Sequence, residues 1–510
     1  MSSSTAAVAV PPGSPEPAVV STAQGAIRGS VLDDHRVFQG VPFATPPVGP
    51  LRWQPPQPAA SWTGVRDATQ PASPCAQAPV PVLPGRSNQT GSRSEDCLYL
   101  NVWTPAAQAP RGRPVFVWLH GGSNVSGAGS DYDPTDLVVR GDVIVVTVNY
   151  RLGAFGFLAH PALSAESADR ASGDYGLMDQ QAALRWVQAN IAAFGGDRHR
   201  VTVGGESAGS TDTCAHIASP TAAGLFVRAI QESGSCVAGG GFSPPTLLAA
   251  SAAGLAFGTG LGCADAACLR AVSVDRLIAA EAARSWGPNT GPAILPISPA
   301  AAWATGRVRP VPVLTGSNHD EYRFFTSVFI DFVSGPLTAQ SYPARVRQEF
   351  PGAADAILAE YPAAAYPSPN IAYSALKTDQ IFACPARADA MLYSGHTAVF
   401  EYEFNDPQAP PFVQDPNLPQ GAFHAGELAY LFRGATLTPA QQRLSEEMIG
   451  FWSRFIATGD PNDHGRPSWP RYRAASDLIQ VLAPDATAPT QGFAADHHCP
   501  FWQTIAGIPA

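Results

Sequence analysis

The stretch RVTVGGESAGSTD, residues 200–212, places a short apolar run directly before a serine that lies between glycines at the spacing Gly-x-Ser-x-Gly. The residues that follow Ser207 favour the start of a helix, so the stretch predicts a strand, a tight turn and a helix. Glycine suits positions 205 and 209 because side chains in such a turn would collide with neighbouring backbone. This context favours Ser207 as a nucleophile over a serine in an ordinary glycine turn.

Other segments extend the alternation of strand and helix along the chain. Short apolar runs at 114–120, 142–150, 311–318 and 398–404 are typical of buried strands, as is 200–205. Helices are predicted at 176–196 and at 438–459, the second with Thr438 as N-cap and Gly459 after its last turn. This order predicts an α/β protein with a large, doubly wound, mostly parallel sheet flanked by helices. A tail rich in Pro, Ser and Ala, residues 1–18, precedes a single domain at 19–510, since no linker divides the rest.

Charge and composition exclude several classes of partner. The 510 residues carry a net charge of −10, and no cluster of Lys or Arg could follow a phosphate backbone, so a nucleic-acid partner is not expected. No apolar run reaches the ~18 residues that cross a bilayer. Lys377 is the one lysine of the chain, which disfavours Schiff-base and phosphate-loop lysine chemistry.

The cysteines favour disulfides over metal binding. There are eight, and none forms the C-x-x-C spacing of a zinc site. Disulfides indicate an oxidising compartment. The N-terminus lacks the basic and apolar segments of a signal peptide, so we expect a mature secreted, periplasmic or extracellular chain. We expect neither a metal nor a cofactor.

A glycine-rich segment, WLHGGSNVSG at 118–127, follows the strand predicted at 114–120. Glycines after a strand leave backbone N–H groups unobstructed, and such donors stabilise a developing oxyanion. A simple glycine turn is the alternative. The order of this segment and the later Ser207 motif favours an oxyanion loop, with Ala208 N–H as a further donor at the start of the helix.

Four longer motifs carry a resemblance to a known family. FQGVPFATPPVGPLRW at 38–53, EDCLYLNVWTP at 95–105, NYRLGAFGFL at 149–158 and FGGDRHRVTVGGESAGS at 194–210 stand in one chain. Together they resemble the type B carboxylesterases, a cholinesterase-like family, over about residues 25–504. The resemblance implies the α/β-hydrolase fold, with helical and loop insertions that form a gorge.

The resemblance also implies a catalytic triad. Ser207 matches the nucleophile, Glu321 in GSNHDEYRFF (316–325) matches the acid, and His424 in GAFHAGELAYLF (421–432) matches the base. Ser207 would attack the ester carbonyl and form an acyl-enzyme that water then cleaves. The alternative acid is Asp320 and the alternative base is His319. We prefer His424 because it can approach the acid from a separate loop.

Further site residues are implied in the same way. The oxyanion donors would be the backbone amides of Gly122, Ser123 and Ala208, and the residues around the pocket would be Glu206, Gly121 and Ser233. Ser123 stands where the family commonly has Gly or Ala, and Asn124 where it often has an apolar residue. The pocket near the ester carbonyl is therefore expected to be unusually polar.

Disulfides and ion pairs carry over as well. The resemblance pairs Cys75 with Cys97, Cys263 with Cys268 and Cys384 with Cys499. For Cys214 and Cys236 our hypothesis is a fourth bridge, with two free thiols as the alternative. Two structural ion pairs are implied, Arg52 with Glu95 and Arg151 with Asp179.

The sequence also bears on the substrate. Between Cys75 and Cys97 there is no aromatic residue, so the tryptophan cation site of cholinesterases is missing and choline esters are disfavoured. We expect a serine carboxylic ester hydrolase for small to medium esters, a monomer or small homo-oligomer whose partner is a small-molecule ester. A lipase is the alternative, with SVFIDFV at 327–333 as part of a lid, although core packing is the preferred interpretation of that run. An inactive adhesion or scaffold protein is least favoured, because the three triad residues are present.

Overall fold

The computed structural model describes residues 18–80, 90–107, 109, 111–237, 243–282, 284–463 and 468–508. Most of the tail predicted for residues 1–18 therefore lies outside the described residues. The first strand of the described part begins at Val19.

The strands form two sheets. In chain order they are β1 (Val19–Ser21), β2 (Ala26–Arg28), β3 (Ser30–Val31), β4 (His35–Pro42), β5 (Val65–Asp67), β6 (Tyr99–Pro105), β7 (Arg113–Leu119), β8 (Ile144–Val148), β9 (Gly196–Glu206), β10 (Arg228–Glu232), β11 (Val313–Asn318), β12 (Val399–Phe404), β13 (Ile479–Leu482) and β14 (Ala488–Thr490). Strands β1, β2 and β5 make a small sheet, and the other eleven make the central sheet in the order β14-β13-β12-β11-β10-β9-β7-β8-β6-β4-β3.

The central sheet is mostly parallel, as the sequence predicts. Strands β8, β7, β9, β10, β11, β12 and β13 run parallel to their neighbours, and antiparallel strands extend both edges. The chain passes from β7 to β8 on one side and returns to β9 on the other. The carboxyl ends of β7 and β9 therefore flank the point where strand order reverses, which is where open α/β sheets bind ligands.

Helices cover the sheet and build the insertions. They are α1 (Thr135–Gly141), α2 (Gly153–Phe157), α3 (Pro161–Glu166), α4 (Tyr175–Asn190), α5 (Ala208–Ala218), α6 (Leu247–Gly260), α7 (Ala266–Ala271), α8 (Val274–Glu281), α9 (Pro299–Ala304), α10 (Tyr322–Thr326), α11 (Phe332–Ser334), α12 (Ser341–Glu349), α13 (Ala354–Glu360), α14 (Pro369–Thr378), α15 (Cys384–Ser394), α16 (Leu428–Leu431), α17 (Pro439–Thr458), α18 (Phe493–Asp496) and α19 (Cys499–Ala506). Among the described residues, no helix is long and apolar enough to cross a membrane.

The two helices predicted from the sequence are present with their expected ends. The Thr438 side chain caps α17 and forms a capping box with Gln441, and Gly459 ends the helix in the left-handed conformation. Helix α4 covers most of 176–196, and a 3₁₀ turn continues it to the left-handed Gly195.

Both implied ion pairs form. Arg52 contacts the Glu95 carboxylate through its Nε and Nη2 atoms. Arg151 lies 2.7 Å from Asp179 between Nε and Oδ2, and both side chains are buried. The second pair fixes the start of α2 against α4, because the Arg151 backbone N–H also donates to Asp179.

The turn between β9 and α5 packs directly against the end of β7. A Cβ on Gly205 would lie 2.3 Å from the Leu119 carbonyl oxygen, and a Cβ on Gly209 would lie 2.0 Å from the same atom. Both distances are far below van der Waals contact, and the obstacle is backbone that cannot rotate away. Both positions therefore need glycine, as the sequence predicts, because the carboxyl end of β7 fills the space that a side chain would occupy.

Replacing Gly209 with alanine should therefore destabilise the protein. We expect Gly209→Ala to lower the free energy of unfolding by about 1–3 kcal/mol, the usual cost of inserting a methyl group into packed surroundings. Gly260→Ala at the end of α6 is the matched control, since its Cβ meets nothing within 4 Å. Denaturant unfolding of the two variants measures the difference, and equal stability of both would contradict the packing argument.

Candidate functional site

Ser207 occupies a strained turn at the carboxyl end of β9. Its backbone has φ 56° and ψ −120°, a region that residues with a Cβ seldom adopt. The Ser207 N–H donates to the Glu232 carbonyl oxygen at the end of β10, at 2.8 Å. Such strain costs about 1–3 kcal/mol and persists only where the surroundings impose it. The neighbouring strands therefore fix the position of this serine.

The loop after β7 lies beside Ser207. A Cβ on Gly121 would lie 3.0 Å from the Ser207 Cβ. Gly122 and Ser123 have φ values of 104° and 56°. Within the described residues, the backbone N–H groups of Gly122, Ser123 and Ala208 donate to no acceptor. The structure thus brings three unengaged N–H groups to the surroundings of one serine hydroxyl.

Glu321 and His424 form a buried pair. His424 Nδ1 lies 2.6 Å from Glu321 Oε2, and the other carboxylate oxygen accepts the Asn318 backbone N–H at 2.8 Å. The His424 backbone N–H donates to the Glu321 carbonyl oxygen at 3.2 Å. Glu321 follows the end of β11, and His424 comes from a loop about a hundred residues later. These contacts hold the imidazole with its Nδ1 toward the acid and its Nε2 away from it.

The Nε2 atom of His424 faces Glu206. It lies 3.1 Å from Glu206 Oε1, and within the described residues no hydrogen bond joins it to Ser207. The rings of Phe325 and Phe382 lie 4.7 Å and 5.0 Å from the imidazole, between ring centres. The imidazole is thus enclosed by two aromatic rings and two carboxylates.

The alternative acid and base are committed elsewhere. Asp320 Oδ1 lies 2.7 Å from Arg323 Nη2 and 3.1 Å from His319 Nδ1, and His319 Nε2 lies 3.2 Å from Asp496. Burial alone would lower the pKa of His319, but the carboxylates of Asp320 and Asp496 raise it to about 11. A histidine that is protonated on both nitrogens cannot accept a proton, so His319 is unsuited to act as a base.

A second histidine continues this charge network. His497 Nδ1 lies 2.6 Å from Asp379, and its Nε2 lies 2.6 Å from Glu403. Burial would lower the pKa of His497, but the two carboxylates outweigh it and raise the pKa to about 10. The network ties the loop before Glu321 to the C-terminal segment. Nothing local in the sequence signals it, because the His319–Asp496 contact spans 177 positions.

Buried carboxyl groups lie around the triad candidates. Glu232 accepts the Trp452 indole N–H at 2.8 Å, and Glu427 accepts a hydrogen bond from the Asn318 side chain. Burial raises the pKa of Glu232 to about 8. Burial, together with the nearby carboxylates of Glu206, Glu232 and Glu321, raises the pKa of Glu427 well above its usual range. Burial thus favours the neutral form of both carboxyl groups, which limits the negative charge around His424.

A cavity of about 620 Å³ opens over Ser207. Its described lining includes Ser123, Ala208, Phe325 and Phe382. Glu206, Gly121 and Ser233, predicted around the pocket, lie outside that lining. Ser233 follows β10 and is buried, with its backbone N–H donating to the Gly316 carbonyl oxygen at 2.9 Å. Glu206 and Gly121 instead lie beside His424 and Ser207.

Asn124 places a polar side chain at the cavity. Its side chain is buried and lines the cavity, and its Nδ2 donates to the buried Asp212 at 3.2 Å. Phe325 and Phe382 were missed by sequence analysis. Their positions in the sequence could have indicated them, because Phe325 lies four residues after the proposed acid Glu321 and Phe382 lies two residues before Cys384.

The apolar run 327–333 departs from the preferred interpretation. Core packing was expected, and Ile330 is indeed buried, but Phe329, Phe332 and Val333 are 63%, 46% and 75% exposed. The run forms one irregular helical turn after α10 whose outer side meets solvent. The apolar composition of this run does not reveal whether other parts of the fold cover its side chains.

Four disulfides are present: Cys75–Cys97, Cys214–Cys236, Cys263–Cys268 and Cys384–Cys499. The pairing of Cys214 with Cys236 joins α5 to the loop after β10, and both residues line the cavity. Disulfides on this scale fit an extracellular or lumenal protein.

Comparisons with known proteins agree with this geometry. The sequence profile of the Carboxylesterase family matches residues 16–502. The chain is 36% identical over 489 residues to the fumonisin B1 esterase of Sphingopyxis macrogoltabida, covering 90% of this chain and 85% of that protein. It is 35% identical over 495 residues to the para-nitrobenzyl esterase of Bacillus subtilis, covering 92% and 95%. It is 34% identical over 495 residues to the acylcarnitine hydrolase of Mus musculus, covering 90% and 87%.

The profile spans nearly the whole chain, the relatives are named as esterases or hydrolases, and the central sheet has the expected α/β architecture. The chain belongs to the carboxylesterase family, and it is a carboxylic ester hydrolase with the α/β-hydrolase fold.

Proposed function

We propose that the protein hydrolyses small to medium carboxylic esters through a Ser207–His424–Glu321 triad. The observation that carries this proposal is the 2.6 Å contact between His424 Nδ1 and Glu321, next to a cavity that has Ser207 in its wall. A carboxylate on Nδ1 leaves Nε2 as the basic nitrogen, which is the tautomer that a general base requires.

The reaction would proceed in two halves. Ser207 Oγ attacks the ester carbonyl while His424 Nε2 takes its proton and then delivers that proton to the leaving alcohol. Water attacks the acyl-enzyme with His424 again acting as base, and the carboxylic acid is released. Glu321 stabilises the imidazolium in both halves. Because Nε2 lies 3.1 Å from Glu206 Oε1, proton transfer requires the ring to turn toward Ser207 Oγ, and catalytic hydrogen bonds of this kind commonly tighten only in the complex with substrate.

The oxyanion would be held by the N–H groups of Gly122, Ser123 and Ala208. They stand at the end of β7 and at the first turn of α5, on either side of the nucleophile, and they have no other described acceptor. Removing one such donor typically costs about 10²–10³ in kcat. The substitution of Ser for a smaller residue at 123 keeps the backbone donor, so this role does not depend on the side chain.

We also propose that residues 19–510 form one catalytic domain that is exported to an oxidising compartment. The four disulfides support export. The central sheet, whose strands run from Ser30 to Thr490, supports a single domain.

Removal of the nucleophile gives the first test. We expect Ser207→Ala to lower kcat on 4-nitrophenyl butanoate by about 10⁴-fold or more, since catalysis is lost with the attacking oxygen. A serine-directed organophosphate should label Ser207 in the wild type, as mass spectrometry of the peptide would show. Ser61→Ala, at an exposed serine, is the control. Labelling of any other serine, or full activity of Ser207→Ala, would rule out this nucleophile.

Adjacent carboxylates allow a matched test of the acid. We expect Glu321→Gln to lower kcat by about 10³–10⁴-fold, because an amide cannot stabilise the imidazolium. Asp320→Asn should retain most of kcat, since Asp320 contacts Arg323 and His319 and not His424. Far-ultraviolet circular dichroism checks that both variants fold. A larger loss of kcat for Asp320→Asn would reverse the assignment.

A lipase is the second candidate, and the exposed segment 327–333 favours it. Phe325 lines the cavity and stacks on the exposed Phe329 at 6.1 Å, so an apolar surface continues from the cavity to the outside. A surface of this kind suits aggregated substrate.

For a lipase we expect the rate on a triglyceride ester to rise steeply above its solubility limit, and the double substitution Phe329→Ser with Val333→Ser to remove that rise. Activity on dissolved 4-nitrophenyl butanoate serves as the control for intact catalysis. A rate that levels off at the solubility limit would leave the esterase as the sole candidate.

A further inference from the structure

One wall of the catalytic cavity differs from the rest. Asn124, Arg284 and Ser285 line the cavity with polar side chains, whereas Phe157, Leu158 and Phe382 line it with apolar ones. A Cβ on Gly287 would lie 3.8 Å from Asn124 Nδ2, so Asn124 lies on the same side as the segment that carries Arg284 and Ser285. The polar wall, meaning Asn124, Arg284 and Ser285, is therefore a defined surface next to the proposed oxyanion loop.

Arg284 carries a charge into this wall. Among the described residues that line the cavity, Arg284 is the one whose side chain carries a formal charge. The two cysteines of the lining are joined in a disulfide. The chain as a whole carries a net charge of −10. A positive group at the mouth of the cavity thus opposes the charge of the whole molecule, and low-dielectric walls concentrate its field.

Arg284 is held in place without an acidic partner. Its Nη1 donates to the Ala253 carbonyl oxygen at 3.3 Å, and its guanidinium lies 5.4 Å from the centre of the Phe257 ring. No ion pair to it occurs within the described residues, and the carboxylate of Glu281, three positions earlier, instead accepts the Ala154 N–H at 2.7 Å. A guanidinium has five N–H donors, so most of its hydrogen-bonding capacity is open to a ligand.

Asn124 adds an acceptor to the same wall. Its Nδ2 is engaged by Asp212, which fixes the amide, and its Oδ1 is buried with no partner among the described residues. Burying an unpaired polar atom costs free energy unless solvent or ligand satisfies it. The Asn124 amide oxygen thus offers an acceptor to a hydrogen-bond donor of the substrate, on the same side of the cavity as the donors of Arg284.

We propose that Arg284 binds a carboxylate carried by the substrate, so that the preferred esters have an anionic group on the acyl or on the alcohol side. This inference rests on the ester hydrolase function proposed for the same site. Arg284 pairs well with a carboxylate because the planar guanidinium offers two parallel donors to its two oxygens. The uncharged side chains of the cavity contact the rest of the ester, and Arg284 discriminates between esters by their charge.

The test compares pairs of substrates that differ only in charge. For the acyl side the pair is the 4-nitrophenyl monoester of glutarate and its carboxamide analogue; for the alcohol side it is 4-carboxyphenyl butanoate and 4-carbamoylphenyl butanoate. We expect the wild type to favour the carboxylate over the amide by about tenfold or more in kcat/KM in at least one pair. Arg284→Gln should reduce that ratio to about one, chiefly through KM, and Arg284→Lys should retain part of it.

Arg276→Gln is the matched control, because Arg276 likewise donates to a backbone carbonyl, that of Leu261, but lies outside the cavity lining. It should keep the wild-type ratio. High salt should shrink the wild-type preference, since it screens an exposed charge.

The outcomes separate this proposal from the one on which it rests. Equal rates for acid and amide in both pairs, or a ratio unchanged by Arg284→Gln, would overturn the assignment of Arg284 while leaving ester hydrolysis intact. Failure of the wild type to hydrolyse any of the four esters, together with no organophosphate labelling of Ser207, would overturn the triad itself.

Discussion

The close approach between the β9–α5 turn and the end of β7 is the constraint on which the site depends. The Leu119 carbonyl oxygen lies where a side chain at Gly205 or Gly209 would stand. Only backbone fits in that space, so the turn can press against the strand and bring Ser207 next to the loop that begins at Gly121. The relative positions of the nucleophile and the proposed oxyanion donors are thereby set by the ends of two paired strands, and sites built on strands are more precise than sites on loops.

Around His424 the constraint is electrostatic, because several acidic side chains lie close together. Glu206 and Glu321 both contact the imidazole, while Glu232 and Glu427 lie buried nearby. The raised pKa values of Glu232 and Glu427 favour their neutral carboxyl forms. Like charges therefore do not accumulate, and the imidazole is oriented by one carboxylate on each nitrogen. Phe325 and Phe382 pack against the same ring.

The parts of this architecture that local sequence decides were predictable. Strands β7 and β8 are continuous apolar runs, and α17 has a capping box at one end and a glycine at the other. Strand β10, RAIQE, has polar residues at three of its five positions and was missed, because its burial comes from neighbouring strands. The exposure of Phe329 could not be predicted either, because it depends on which parts of the tertiary structure pack against this residue. The candidate triad followed from motifs that resemble those of a known family. Arg284 could not be predicted, because its segment has no periodicity, and the His319–Asp496 contact could not be predicted, because it joins positions far apart in the chain.

The network of histidines and carboxylates near β11 has a consequence for how the protein is made. His319, one residue before Asp320 and two before Glu321, takes a partner from Asp496, and Glu403 takes one from His497. The loop that precedes the proposed acid therefore acquires these contacts only after Asp496 and His497 have been synthesised. All strands of the central sheet lie earlier in the chain, since the last of them, β14, ends at Thr490. A chain interrupted short of Asp496 would thus retain every strand, together with the contacts of Glu321 to Asn318 and His424, but would lack the carboxylate that pairs with His319, which separates the completion of the sheet from the completion of the charge network beside it.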